Sequence, residues 1–394
     1  MKLNNKTYTL KHYVGKVHLW LGLSSGLVVF IIAITGCIYA FQVEIQELTQ
    51  SYRFVDRQDK AVLPPSTLRA IAEKELPQKH THAVLYSGPE KAAEVIFFNF
   101  EPDYHYYIAY LNPYTGEVFR VKNMERDFFN FILDGHFYLW LPEEIGQPVT
   151  ASATLIFLVM LISGIILWWP KSKGVAKQRF SVKWNARWRR KNYDLHSVFG
   201  FYAFFIAIIL SVTGLVWGFT WFAQGWYTIA GGKKSLEYIE PASVRDSAVS
   251  NASPAIDRVW DLMKREYPTA ETIEVHIPET DTSSIAANAN PDGATYWKTD
   301  YRYFDQYSLK EQSVDHIYGR LNASSAADKL LRMNYDIHVG AILGLPGKVL
   351  AFFASLLVAS LPITGCLLWW GRRNKKKDQE AVEDELKALD NIAA

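Results

Sequence analysis

Four long apolar segments divide the chain. Charged residues are almost absent from residues 19–41, 149–169, 198–223 and 347–370. A helix needs about 20 residues to cross the hydrocarbon core of a bilayer, and each segment is long enough. We therefore predict four transmembrane helices. The first apolar segment has no small-residue cleavage site, so we expect it to stay in the protein as a signal anchor.

Two segments with alternating apolar and polar positions lie between these helices, and each is expected to be an α+β domain. In each, a predicted helix precedes four predicted strands. The helices are Ser66–Leu76 and Pro254–Tyr267; the strands are Ala83–Tyr86, Ala93–Phe98, Tyr104–Leu111 and Glu117–Val121, and then Thr272–Ile277, Ser283–Ala287, Tyr296–Asp305 and Leu309–Ser313. Because the order of elements repeats, we predict an internal duplication.

The chain then divides into nine predicted segments. They are a leader (1–17), helix one (18–41), a first extramembrane domain (42–146), helix two (147–169), a basic loop (170–193), helix three (194–223), a second extramembrane domain (224–337), helix four (338–370) and a tail (371–394). The fold class is therefore an α+β membrane protein, with a four-helix bundle and two α+β domains.

The net charge of +2 conceals a strong segregation of charge. Residues 170–193 carry nine Lys or Arg and no acid, whereas residues 42–146 carry 10 basic and 16 acidic residues, and residues 224–337 carry 12 and 17. The positive-inside rule places both termini and the basic loop in the cytoplasm and both α+β domains outside. Contact with anionic lipid explains the basic stretches, so we expect no nucleic-acid partner.

Histidines occur next to the apolar segments in two matched pairs. His18 and His196 are each followed by a glycine four residues later (Gly22, Gly200) and by a Thr-Gly pair at the same later offset. His136 and His338 each follow an aspartate by two residues and precede an apolar segment that ends in Ser/Thr-Gly-x-x-Leu-Trp-Trp. Ionisable side chains at membrane depth are costly and mark functional sites by default.

The repeated pairs predict metal ligation, and we interpret the metal as haem iron. Given the topology, His18 and His196 lie near the cytoplasmic face, and His136 and His338 near the opposite face. We predict two haem b groups with two histidines each, one group near each face. Two imidazoles leave no open position on the iron, which suits electron transfer.

Small residues follow His18 and His196 on one helical face. The positions are Gly22, Ser25, Val29, Ala33 and Gly36, and Gly200, Ala203, Ala207, Ser211 and Gly214. Gly22 and Gly200 are candidate cofactor-binding residues because a flat macrocycle can approach them closely. The alternative is ordinary packing between membrane helices, which also favours small residues. Asp134, Asp194 and Asp336 precede three of the histidines by two residues; we expect them to cap helices, because positions i and i+2 do not face each other.

An α+β domain inserted twice between membrane helices, with His18-x-x-x-Gly22 at a helix start and Gly164-x-x-Leu167-Trp168-Trp169 at a helix end, resembles the PepSY-associated transmembrane family. That family includes iron-regulated inner-membrane proteins and ferric-siderophore reductases. The resemblance covers nearly the whole chain and implies a haem-binding membrane domain, two periplasmic PepSY domains and a bacterial inner-membrane location. It also implies that siderophore-bound ferric iron is reduced and released as ferrous iron.

Three classes of function compete. We favour a haem oxidoreductase that passes electrons across the lipid bilayer from a quinol or a cytoplasmic reductase to a ferric siderophore or another periplasmic acceptor. The chain has no Gly-x-Gly-x-x-Gly motif for a nucleotide or flavin domain, and no catalytic residue is identified beyond the haem ligands. The alternative is a non-enzymatic membrane-anchored protein that binds peptides or regulates a protease. A transporter is disfavoured by four helices and the lack of intramembrane carboxylates.

Overall fold

The computed structural model describes residues 9–100, 102–170, 172–245 and 253–393, and, beyond Arg373, the backbone alone. Residues 1–8 of the predicted leader and the side chains of most of the predicted tail lie outside this description. The helices are α1 Leu10–Tyr39, α2 Gln42–Thr49, α3 Pro65–Glu75, α4 Phe128–Tyr138, α5 Glu143–Trp168, α6 Lys173–Ala176, α7 Trp188–Gly218, α8 Thr220–Ile229, α9 Ala255–Glu266, α10 Ala326–Arg332, α11 Asn334–His338 and α12 Gly344–Ala393. The strands are β1 Thr81–Tyr86, β2 Ala93–Asn99, β3 His105–Leu111, β4 Val118–Asn123, β5 Thr272–His276, β6 Ile285–Asn290, β7 Asp300–Phe304 and β8 Glu311–Gln312.

The chain forms two compact units. The membrane unit contains residues Met1–Ala40, Ile132–Thr220 and Leu345–Ala394. The sheet unit contains residues Phe41–Phe131 and Trp221–Gly344. Each unit is therefore assembled from segments that are distant in the sequence.

Four helices of the described residues are long and apolar enough to cross a membrane, as predicted. They are Leu10–Tyr39, Glu143–Trp168, Trp188–Gly218 and Ala341–Arg373. Small side chains fill the centre of the bundle: Ala33, Ala203, Ala207 and Ala359 are buried there with Val29, Leu161 and Val358. Small residues let helix backbones approach closely, which is the usual basis of helix packing in lipid.

His136 and His338 lie on short helices that precede the second and fourth membrane helices. His136 lies on the short helix α4, and His338 is the last residue of α11. Left-handed backbone separates α4 from α5, because Leu139 and Trp140 both have φ of 57°, and Gly340 with φ of 82° follows α11. The chain therefore turns after each histidine before the long helix begins.

The sheet unit is built from two stretches that each contain a helix and four antiparallel strands. Observed strand positions agree with the predicted ones to within a few residues, except that β7 and β8 are shorter. Helices α3 and α9 cover one face of the sheet, where Leu68 and Met263 are fully buried against Val84 and Val275. Apolar burial on this face stabilises the unit.

The two predicted α+β domains share one sheet, which the sequence did not predict. All eight strands form a single sheet in the order β4-β3-β2-β1-β5-β6-β7-β8. Strands β1 and β5 join the halves as an antiparallel pair, with Val84 opposite Val275. The prediction of two separate domains at 42–146 and 224–337 is therefore replaced by one continuous unit.

Candidate functional site

His18 and His196 face each other inside the membrane unit. His18 lies on α1 and His196 on α7, each eight residues after the first residue of its helix. The centres of the two imidazole rings are 6.5 Å apart, and the ring planes are 86° apart. Both histidines line a cavity of about 350 Å³. Pockets for small molecules span roughly 300–1,000 Å³, so this cavity is large enough for a ligand.

The distance between the two rings fits one metal ion between them. An imidazole nitrogen binds a metal ion at about 2 Å, and the ring centre lies roughly 1 Å behind that nitrogen. Two imidazoles on opposite sides of one ion therefore have ring centres about 6 Å apart. The observed 6.5 Å matches this spacing closely. The spacing of the two rings is therefore compatible with one ion between them.

A hydroxyl group on a neighbouring helix contacts each of these imidazoles. The Nδ1 atom of His18 lies 2.8 Å from Ser163 Oγ on α5, and the Nδ1 atom of His196 lies 2.9 Å from Thr364 Oγ1 on α12. Among the described residues, neither Nε2 atom has a hydrogen-bond partner. Nε2 is therefore the nitrogen that each ring keeps for a ligand in the cavity.

His136 has the same kind of partner within the membrane unit. Its Nδ1 atom lies 3.1 Å from Thr35 Oγ1 and 3.0 Å from the carbonyl oxygen of Ile32, both on α1. His338 belongs to the sheet unit, where it ends α11. The pairing of His136 with His338 stays a prediction from the sequence.

The stripes of small residues lie in two different surroundings. Gly22, Ser25 and Gly200 line the cavity beside the histidines. Farther along the same helices, Ala33 and Ala207 belong to the packed centre of the bundle. The packing interpretation therefore holds for that part of each stripe, and a close approach of a flat ligand to Gly22 and Gly200 stays a prediction.

Charged and aromatic residues lie around the same cavity. Arg179 and Arg372 are the cations in its lining, and the Arg179 guanidinium donates to Tyr193 Oη over 2.9 Å. Trp168 is buried and stacks on Phe201, with ring centres 4.0 Å apart, whereas Trp169 is exposed. Only one tryptophan of this pair is thus placed like a membrane-interface anchor.

Comparison with known families shows the family of the chain. The model of the family described as the PepSY-associated TM region matches residues 16–372. The chain belongs to this family. A comparison with curated proteins finds no match. The match spans all four membrane helices and the whole sheet of this PepSY-associated protein, so the family assignment covers both units.

Two of the aspartates near the histidines, Asp194 and Asp336, bind other chain segments and do not cap their own helices, contrary to our prediction. Asp194 is buried and pairs with Arg190 at 2.9 Å. Asp336 is fully buried and accepts the backbone N–H groups of Tyr296 and Trp297 in the β6–β7 loop. Both carboxylates therefore anchor neighbouring chain segments of this PepSY-associated protein.

A second histidine cluster lies in the sheet unit. The rings of His82 and His276 meet across the β1–β5 pair with centres 4.8 Å apart. His276 Nε2 lies 3.5 Å from Glu274 Oε2. Burial alone would lower the pKa of His276, but the charge of Glu274 and its hydrogen bond raise it overall. Within the part of the chain that the structure describes, no group of three or more His, Cys, Asp or Glu is arranged to hold a metal ion.

Proposed function

We propose that this protein is a di-haem b-type oxidoreductase of the membrane that passes electrons to an acceptor on the far side. One observation carries the proposal: His18 and His196 face each other across a cavity at the spacing that one metal ion requires. Ionisable groups at such a depth are costly, and a ligand role explains why two of them point at each other.

The residues around the cavity fit a porphyrin with anionic side groups. His18 and His196 would hold the iron through their ring nitrogens, and Gly22 and Gly200 line the cavity beside them. Arg179 and Arg372 would pair with the carboxylates of the cofactor. Bound haem supplies a reversible one-electron couple, whose potential depends on the axial ligands and on burial. With two histidines on the iron, the site would suit electron transfer.

A second haem between His136 and His338 is proposed from the sequence repeat. The two histidines share the Asp-x-His pattern and precede the second and fourth membrane helices. The helix-and-four-strand order also occurs twice, on either side of the β1–β5 pair, which supports an internal duplication. Two haems at different depths would shorten each electron-transfer step across the bilayer.

The direction of transfer follows from the charge pattern and the family. Basic residues at 170–193 and after helix four favour a cytoplasmic location of both termini in the bacterial inner membrane, with the sheet unit in the periplasm. A quinol or a cytoplasmic reductase is the proposed donor. A ferric siderophore is the proposed acceptor: one electron reduces its ferric ion to ferrous iron, which the siderophore holds weakly.

Haem counting tests this proposal directly. The chain is purified in detergent from haem-replete cells, and bound haem b is measured as the pyridine haemochrome. We expect two haems per chain, a loss of one in His18→Ala or His196→Ala, and no loss in the control His80→Ala in the sheet unit. Near-perpendicular imidazole planes also predict a low-spin ferric EPR signal with a large g value. A colourless wild-type preparation would refute the function.

A further inference from the structure

Three histidines of the membrane unit each contact the same kind of two-residue pair. Ser163-Gly164, Thr364-Gly365 and Thr35-Gly36, which we call the Ser/Thr-Gly pairs, contact His18, His196 and His136. The hydroxyl lies at the Nδ1 atom in each case. A Cβ added at the glycine would meet the Cε1 atom of the same ring at 3.4 Å, 3.4 Å and 3.2 Å. The pair therefore presents an oxygen and an open surface to one edge of the imidazole.

The hydroxyl groups are already committed as donors. Ser163 Oγ donates to the carbonyl of Met160 over 3.0 Å, and Thr364 Oγ1 donates to the carbonyl of Ser360 over 2.9 Å. A hydroxyl has a single proton, so each oxygen can only accept from the imidazole. In that arrangement the Nδ1 atom carries the ring proton.

Backbone contacts support the same assignment. His136 Nδ1 lies 3.0 Å from the Ile32 carbonyl oxygen, which is an acceptor only. In His136 a carbonyl oxygen and a hydroxyl oxygen thus lie at the same ring nitrogen. Met160 and Leu361 occupy the position that corresponds to Ile32, three residues before Ser163 and Thr364.

We propose that Ser163 and Thr364 are positioning residues that hold His18 and His196 in the Nδ1–H tautomer and so present both Nε2 lone pairs to the cavity. This inference rests on the proposed function. A partner that accepts the second ring N–H orients a ligating histidine and raises its basicity. A more basic ligand stabilises the ferric state more than the ferrous state, so the hydroxyls also lower the potential of the site.

The test removes the oxygens with little change of shape. Ser163→Ala and Thr364→Val lose the acceptor, whereas Ser163→Thr and Thr364→Ser keep it. Thr154→Val is the matched control, because Thr154 Oγ1 also donates to a carbonyl of its own helix, that of Thr150, at 2.8 Å. Haem content and the midpoint potential of the site between His18 and His196 are measured for each variant by spectroelectrochemical titration.

We expect about a tenfold weaker haem retention in Ser163→Ala and Thr364→Val. If the ferric form loses tenfold more affinity than the ferrous form, the midpoint potential rises by about 59 mV. The hydroxyl-retaining variants and Thr154→Val should match the wild type. Unchanged haem retention and potential in Ser163→Ala and Thr364→Val would overturn the inference while leaving the proposed function intact.

A readout without haem keeps the two proposals distinguishable. Nitrogen-15 NMR of haem-depleted protein with labelled histidine reports which ring nitrogen is protonated, and His18→Ala and His196→Ala assign the signals. We expect the Nδ1–H form for both residues in the wild type and a mixture of forms without the hydroxyls. The Nε2–H form in the wild type would overturn the inference, whether or not the protein binds haem.

Discussion

Few hydrogen-bond partners are available to a polar side chain inside the apolar helix bundle of the membrane unit. A buried imidazole needs an acceptor for its ring N–H, and Ser or Thr on a packed helix supplies one without a second buried charge. Ser163, Thr364 and Thr35 meet this need, whereas Asp194 pairs with Arg190. Neutral partners keep the net charge of the cavity wall low, apart from the arginines at its edge.

In the sheet unit, His82 should make stability depend on pH. Burial, and then the charges of His276 and His80, lower its pKa from 6.5 to about 4 against the opposing charges of Glu274 and Glu279. Between these values the unfolded chain binds more protons than the folded chain, so stability falls as the pH drops from 6.5 to 4. His82→Phe should flatten that dependence in thermal unfolding followed by tryptophan fluorescence. A variant as pH-sensitive as the wild type in this window would contradict the assignment.

At the scale of elements, the pattern of apolar and polar positions was enough to predict the four membrane helices and nearly all strands. This is because apolar positions follow the burial of side chains. Three features left no such signal. The β1–β5 pair uses backbone groups, which any side chain carries. Leu139 and Trp140 adopt left-handed backbone without being glycine, so the break after α4 could not be predicted. The Ser/Thr-Gly pairs were visible, but their role depends on how the helices face one another.

The shared sheet predicts that its two halves unfold together. Val84 is fully buried and lies opposite Val95 in one half and Val275 in the other. Val84→Asp places an unpaired charge in this core, which costs several kcal/mol and should unfold the unit. Limited proteolysis with peptide mapping should find new cleavage within both 81–123 and 272–312. Protection of 272–312 in this variant would show that the second half is stable alone.

For the whole molecule, the charge asymmetry predicts the orientation in the membrane. An alkaline phosphatase reporter, which is active only in the periplasm, is fused after Ala394 or inserted at the exposed turn of Gly88. The positive-inside rule predicts an inactive C-terminal fusion and an active insertion. An active C-terminal fusion, or an inactive insertion at Gly88, would contradict the predicted topology and the proposed direction of electron flow.

Electron transfer through the whole molecule is the most demanding prediction. Right-side-out vesicles with a reduced quinone pool receive a membrane-impermeant ferric chelate outside, and a ferrous-specific dye records its reduction. Wild type and Thr154→Val should reduce the chelate, and His18→Ala and His136→Ala should fall to the background rate. Because His136 would serve only the outer haem, the haem at His18 and His196 should stay reducible in His136→Ala. Continued chelate reduction by His136→Ala would show that electrons leave the protein without passing the outer pair.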